Sequence, residues 1–138
     1  MIQEHPVLGV GLDNFLYAYR GKYILPEAWQ EPNLSHPHNL ALDYAARLGL
    51  LGLLAGLGLQ WAFWRAAISA YRKAQTREGR VLAVALMASM AAFLAHGLVD
   101  NSYFLVDLAY AFMLTLGLMH HLAHTQTTMA EVENKCDR

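Results

Sequence analysis

Two histidines stand close together just before a long apolar run, in the segment HPHNLALDY from His36 to Tyr44. A free imidazole, with a pKa of about 6.5, can take a proton from a hydroxyl group near neutral pH, so His38 is a candidate general base. Zinc binding through His36 and His38 is a second chemistry, but further ligands of suitable type are lacking nearby in the sequence. We therefore expect no metal. In a third interpretation these residues only begin a helix, with Asn39 as its N-cap.

The elements that must position these residues are three strongly apolar stretches. Of the 138 residues, 56% are hydrophobic and only 15% are charged. A helix needs roughly 20 apolar residues to cross about 30 Å of hydrocarbon. The sequence predicts an all-α integral membrane protein with three transmembrane helices, at about 40–64, 81–100 and 103–122. The alternative, a soluble bundle, needs a polar stripe on each surface helix, and the stretch VLAVALMASMAAFLAHGLV offers none.

The charges between the apolar stretches predict an orientation. The segment Arg65–Arg80 has five Lys or Arg residues and one Glu, whereas the turn Asp100–Asp107 has no basic residue. By the positive-inside rule, Arg65–Arg80 is a cytoplasmic loop and the acidic turn faces the other side. Residues 1–39 are then an extracytoplasmic loop segment, residues 40–122 span the membrane, and residues 123–138 form a cytoplasmic tail that we expect to be disordered because it is polar.

The N-terminal segment raises the question of how it is exported. MIQEHPVLG has neither a basic region nor an apolar core, so it is not a signal peptide. We expect the chain to be the C-terminal part of a larger membrane protein, whose earlier helices would be its partners. By itself it should be inactive.

The order of several short motifs resembles one family. Pro6, Gly9 and Gly11 form a P-x-x-G-x-G pattern, the pair His38-Asn39 follows after a polar stretch, and the L-G-x-x-G pattern begins at Leu48. HGLVDNSYF then separates two apolar helices. Over almost all of residues 2–122 this arrangement resembles the O-antigen ligase and O-antigen polymerase family of bacterial membrane glycosyltransferases.

The resemblance implies an activity and a location. Such enzymes act at the outer face of the bacterial cytoplasmic (inner) membrane. They transfer a glycan from an undecaprenyl-diphosphate carrier to an acceptor hydroxyl, which lies on a lipid core in ligases and on another glycan in polymerases. The resemblance implies no cofactor, and the partners are the lipid-linked glycan, the acceptor and membrane lipids. It also implies that His38 assists activation of the acceptor.

Other residues have expected roles around His38. His36, Asn39, Arg20 and Arg47 are candidates for substrate binding. Arg47 lies four residues after Asp43, so the two can instead form an ion pair on one helix face. Asp100 and Asn101 either orient groups near the site or cap the third helix. These two alternatives remain open from the sequence.

Two functions of other classes are also compatible with the sequence. One is a non-catalytic membrane interaction or assembly subunit, and the other is a fragment of a transporter. Transporters usually have broken or polar segments in the middle of the membrane, and few such segments occur here. With a net charge of −1, the chain has no basic excess that would indicate a nucleic-acid partner.

Overall fold

The computed structural model describes residues 1–28, 33–100 and 106–136. Four α-helices are present there: α1 (Phe15–Ala18), α2 (Leu40–Lys73), α3 (Arg77–Gly97) and α4 (Val106–Cys136). A π-helical turn, Tyr19–Tyr23, and a 3-10 turn, Pro26–Ala28, follow α1. The described part contains no strand, so the predicted all-α class is confirmed. One compact unit comprises Met1–Gly58 with Leu94–Tyr103, and a second comprises Leu59–Phe93 with Phe104–Arg138.

Two of the described helices, α2 and α3, are long and apolar enough to cross a membrane. Only 22% of the residues in the most apolar window of each helix are buried. A core helix of a soluble protein would be mostly buried, so this exposure of apolar side chains favours a lipid environment. The third predicted span, at 103–122, falls partly on residues outside the described part. Within the described residues, α4 has no stretch that is both long and apolar enough to cross a membrane. A third transmembrane helix therefore remains a prediction.

The connection between the first two long helices is much shorter than the sequence indicated. The segment Arg65–Arg80 was expected to be a loop, and this expectation was wrong: α2 continues to Lys73 and α3 begins at Arg77. Ala67 and Ala70 are fully buried, so the helix keeps a small apolar face beyond the membrane-length run. That face explains why the basic residues lie mostly on helix rather than in a loop.

The C-terminal tail is another correction, because α4 extends to Cys136 through residues expected to be disordered. Met119, Leu122 and Gln126 are buried at helical spacing, which gives the helix a packed face despite its polar composition. Lys73 Nζ also donates to Thr127 Oγ1 at 3.1 Å. Tertiary packing therefore orders a segment whose composition alone favours disorder.

A break in α2 shapes the first unit. Gly49 has φ 65° and ψ −161°, which is not helical. The backbone N–H groups of Leu50 and Leu51 therefore do not bond to the preceding turn of α2. Instead they donate to the carbonyls of Pro6 at 2.8 Å and Val7 at 3.2 Å. The N-terminal segment thus supplies the acceptors that the break removes, as buried backbone groups require.

The same segment also satisfies the carbonyl side of the break. Val10 N–H donates to the carbonyl of Ala46, and Gly11 N–H donates to that of Arg47, both at 2.9 Å. In an unbroken helix these two carbonyls would accept from residues four positions later. Residues 6–11 are therefore inserted into α2 by four backbone hydrogen bonds.

Glycine is required on both sides of this insertion. Gly9 and Gly49 have φ values of 66° and 65°, in the left-handed region that residues with a Cβ rarely adopt. A Cβ on Gly9 would lie 2.4 Å from the carbonyl carbon of Arg47, and one on Gly49 would lie 2.4 Å from that of Val7. The P-x-x-G-x-G and L-G patterns are thus two halves of one backbone junction.

Candidate functional site

Three side chains that the sequence singled out meet at the N-terminal end of α2. Asp100 Oδ1 lies 2.9 Å from His38 Nδ1 and 3.5 Å from His36 Nε2. The two imidazole rings are themselves edge to face, with centroids 5.1 Å apart. Asp100 therefore bridges both histidines, although it follows His38 by 62 positions.

Asn39 determines where this group sits. Its Oδ1 accepts the backbone N–H of Leu42 at 3.1 Å, which is the N-cap arrangement expected at the start of α2. Its Nδ2 donates to the carbonyl of Leu98 at 3.1 Å. One amide side chain thus caps α2 and ties it to the segment that follows α3. This contact holds His38, the preceding residue, near Asp100.

Asp100 is presented by an extra turn after α3. Leu98 N–H donates to the carbonyl of Ala95, and the N–H groups of Val99 and Asp100 donate to that of His96. The chain therefore stays coiled for three residues beyond Gly97 and directs Asp100 toward the histidines. Of the two roles expected for Asp100, the geometry supports orienting the histidines. Asn101 lies outside the described residues.

The hydrogen bond to Asp100 defines what His38 can do chemically. A carboxylate only accepts hydrogen bonds, so the neutral imidazole must donate its Nδ1–H, and this leaves a lone pair on Nε2. The His38 side chain is 57% exposed, so the ring is open to a reactant. A histidine held by a carboxylate in this tautomer can accept a proton from a hydroxyl group.

His36 is the more enclosed of the two histidines, with 18% of its side chain exposed. Its Nδ1 lies 2.9 Å from Ser35 Oγ. Both ring nitrogens therefore have polar neighbours, Ser35 on one side and Asp100 on the other. Ser35 could not be predicted from the sequence, because a lone serine in a polar segment carries no distinctive pattern.

Arg47 and Asp43 form the ion pair that their spacing predicted, with Nε 2.7 Å from Asp43 Oδ1. Asp43 is fully buried. The remaining guanidinium nitrogens donate to two backbone carbonyls, those of Leu12 and Ser35, each at 2.8 Å. Arg47 thereby links α2 to both the N-terminal segment and the residue before His36. Only 11% of its side chain is exposed, so it acts as an internal anchor.

The basic residues of the N-terminal segment, Arg20 and Lys22, lie outside the group formed by the two histidines and Asp100. Arg20 is exposed in the π-helical turn, and within the described residues no hydrogen bond or ion pair joins it to the histidines. Lys22 Nζ lies 2.5 Å from Glu4 Oε2, to which the Tyr23 hydroxyl also donates. The hydrogen bonds from Lys22 and Tyr23 lower the pKa of Glu4 to about 2. Lys22 therefore links the π-helical turn to Glu4 near the N-terminus.

His36, His38 and Asp100 also have the chemistry of metal ligands. Each offers one ligand atom, and these atoms all lie within 4.8 Å of one another. Two imidazole nitrogens and a carboxylate oxygen suit a borderline metal such as zinc. The sequence pointed to only two of these ligands, because Asp100 is distant along the chain.

Comparison with known proteins finds a family similarity in the N-terminal part of the chain. Residues 1–57 match the model of the O-antigen ligase family. The matched range includes the inserted P-x-x-G-x-G segment, both histidines and the break at Gly49, but not Asp100. Searches of curated proteins and of solved structures find no match.

The family match and the apolar helices point the same way. Together they indicate a bacterial inner-membrane protein with a role in glycan transfer during polysaccharide synthesis. The resemblance that the order of the motifs indicated is therefore confirmed for residues 1–57, which are similar to the O-antigen ligase family.

Proposed function

We propose that this protein transfers a glycan from an undecaprenyl-diphosphate carrier to an acceptor hydroxyl, with His38 as the general base. The observation that carries this proposal is the 2.9 Å contact between His38 Nδ1 and Asp100 Oδ1 on an exposed imidazole. The site faces the extracytoplasmic side, as the basic residues of Arg65–Arg80 predict. The acceptor is a hydroxyl of a glycan or of a glycolipid.

The reaction needs one proton transfer and one displacement. The acceptor oxygen attacks the anomeric carbon of the carrier-linked sugar, and the bond from that carbon to the diphosphate oxygen breaks. The hydroxyl proton passes to His38 Nε2, and the undecaprenyl diphosphate leaves with the bonding electrons. Asp100 holds the imidazole in the required tautomer and stabilises the imidazolium that forms. General-base assistance of this kind contributes roughly 10²–10⁴-fold to a rate.

The other candidate residues divide between substrate and scaffold. His36, beside His38, is a candidate for contact with the acceptor, and Arg20, exposed on the N-terminal segment, is a candidate for the carrier diphosphate. Asn39 positions His38 through its contact with Leu98. Asp43 and Arg47 position the histidine segment through Ser35, and we assign them no direct contact with phosphate.

The test compares initial rates of glycan transfer by variants of the full-length protein in lipid nanodiscs. The nanodiscs contain an undecaprenyl-diphosphate-linked glycan and an acceptor. His38→Ala should lower the rate by roughly 10²–10⁴-fold, because a methyl group cannot accept the proton. Asp100→Asn should lower it by at least about tenfold, because the neutral amide no longer stabilises the imidazolium. His5→Ala, at an exposed histidine in the same N-terminal segment, is the matched control.

A different result would redirect the assignment. If His38→Ala keeps more than about a tenth of the transfer rate, when loss of a general base costs roughly 10²-fold or more, the imidazole is not the base. If full-length protein supports transfer only when a second enzyme is present, the non-catalytic assembly subunit becomes the better description.

A further inference from the structure

We infer that His36, His38 and Asp100 bind Zn²⁺, and that this binding inhibits glycan transfer. The binding step stands on the geometry of the three side chains, whereas the inhibition rests on the function proposed above. The ion would be a reversible inhibitor, so a requirement for a metal cofactor does not follow.

The distances are close to those of a zinc site. Zinc binds imidazole nitrogen at about 2.0–2.1 Å and carboxylate oxygen at about 2.0–2.2 Å, so tetrahedral ligand atoms lie about 3.3 Å apart. Here Asp100 Oδ1 is 2.9 Å from His38 Nδ1 and 3.5 Å from His36 Nε2. All three ligand atoms lie within 4.8 Å of one another, so the remaining separation must shorten by at most about 1.5 Å. Rotation of the exposed His38 side chain can supply that movement.

The surroundings already support such a site. Ligating histidines usually have their second nitrogen hydrogen-bonded, which fixes the ring orientation. The second nitrogen of His36 lies 2.9 Å from Ser35 Oγ. The carbonyl of Ser35 is held in turn by Arg47. His36 is therefore oriented toward Asp100 before any ion arrives, and three protein ligands leave a fourth position for water.

Metal binding and base catalysis compete for the single lone pair of the neutral His38 ring. In the hydrogen-bonded arrangement, His38 Nδ1 carries the proton that it donates to Asp100, and Nε2 keeps its lone pair. When Zn²⁺ binds Nδ1, the ring's one N–H proton passes through solvent from Nδ1 to Nε2, and Asp100 becomes a ligand. The neutral imidazole then holds its only proton on Nε2. It has no free lone pair for the acceptor hydroxyl, so transfer stops.

Binding is measured by competition with a fluorescent zinc chelator, using the full-length protein without a histidine tag. His120 and His124 are exposed and four residues apart on α4, so they could bind zinc by themselves. All proteins in the comparison therefore carry His120→Gln and His124→Gln. We expect one Zn²⁺ per protein, with at least tenfold weaker binding in His36→Ala, His38→Ala and Asp100→Asn. His5→Ala, the control, should bind as the background protein does. Equal zinc affinity in all of these variants would overturn the site.

Inhibition is tested in the transfer assay, with each rate expressed relative to the same variant without zinc. Zinc should inhibit the background protein, a chelator should restore its rate, and His36→Ala should need at least tenfold more zinc for half inhibition. Zinc that binds at the three residues without slowing transfer would overturn the inhibition. If His38→Ala loses zinc but retains transfer, the proposed function fails while the metal site stands.

Discussion

The backbone N–H of Leu50 donates to the carbonyl of Pro6 at 2.8 Å, in place of the helical bond that the break at Gly49 removes. The two glycine patterns of the sequence therefore belong to one structure. The N-terminal segment completes α2, and α2 carries His38 and Asn39 at its start. The junction thus supports the candidate site without contributing a reactive group.

Adding a methyl group at this junction should destabilise the protein. In Gly49→Ala the new Cβ would lie 2.4 Å from the carbonyl carbon of Val7. A backbone with φ 65° and ψ −161° is essentially restricted to glycine and alone costs roughly 1–3 kcal/mol for another residue, and the overlap adds to this. The free energy of unfolding, measured by denaturant titration in detergent micelles, should fall by more than that amount. Gly58→Ala is the control, because a Cβ there meets nothing within 4 Å. Equal stability of the two variants would argue against the inserted segment.

Removing the Arg47 side chain should loosen the segment that holds the histidines. Arg47→Met leaves the buried Asp43 carboxylate without its ion-pair partner, and breaking such a pair typically costs about 3–5 kcal/mol. It also releases the carbonyls of Leu12 and Ser35. The measurement is the rate of trypsin cleavage at Arg20 and Lys22, together with the free energy of unfolding.

The double variant Arg47→Met with Asp43→Asn separates charge burial from anchoring. It should be more stable than Arg47→Met alone, because no unpaired carboxylate is then buried. The cleavage rate should nevertheless stay high, since both backbone carbonyls still lack their donor. A double variant less stable than the single one would contradict the ion-pair account.

The contact of Glu4 with Lys22 and Tyr23 should respond to acid. Glu4 has a pKa of about 2 in the folded protein, against its usual 4.5. Because folding lowers this pKa, the contact contributes fully above about pH 4.5 and is lost as the pH falls toward 2. The carboxyl carbon of Glu4, followed by NMR and assigned with Glu4→Gln, should titrate near pH 2. In Lys22→Gln, or at high salt, its midpoint should rise toward 4.5, since an exposed pair is screened. A midpoint near 4.5 at low salt would exclude the contact.

Labelling of single cysteines tests the predicted orientation. Cys136, in the predicted cytoplasmic tail, should resist a membrane-impermeant maleimide in spheroplasts and react after permeabilisation. Glu27→Cys, at an exposed position of the N-terminal segment and combined with Cys136→Ser, should react in both conditions. The expectation follows from the five basic residues of Arg65–Arg80. The reverse labelling pattern would move the candidate site to the cytoplasmic side.

Several features of this protein could be read from local sequence. Helical class and two apolar helices follow from composition and run length, because a helix satisfies its own backbone hydrogen bonds in lipid. The Asn39 cap and the Asp43–Arg47 pair depend on residues only three or four positions apart, so their spacing predicted them. The ends of the helices were harder to predict from the sequence. The continuation of α4 to Cys136 depends on burial of Met119, Leu122 and Gln126, which composition does not reveal.

The candidate site itself required the tertiary structure. From sequence, His38 stands near His36, while Asp100 could instead have capped the next helix. Only the fold brings Asp100 within 2.9 Å of His38, because Asn39 ties the start of α2 to Leu98 and a coiled turn then presents Asp100. The glycine patterns likewise showed which residues need a special backbone but not which residues they pack against. The two glycines of the junction each lie against backbone some 40 residues away along the chain. Sequence determines which groups are available, whereas contacts between distant segments decide which nitrogen of His38 is left to react.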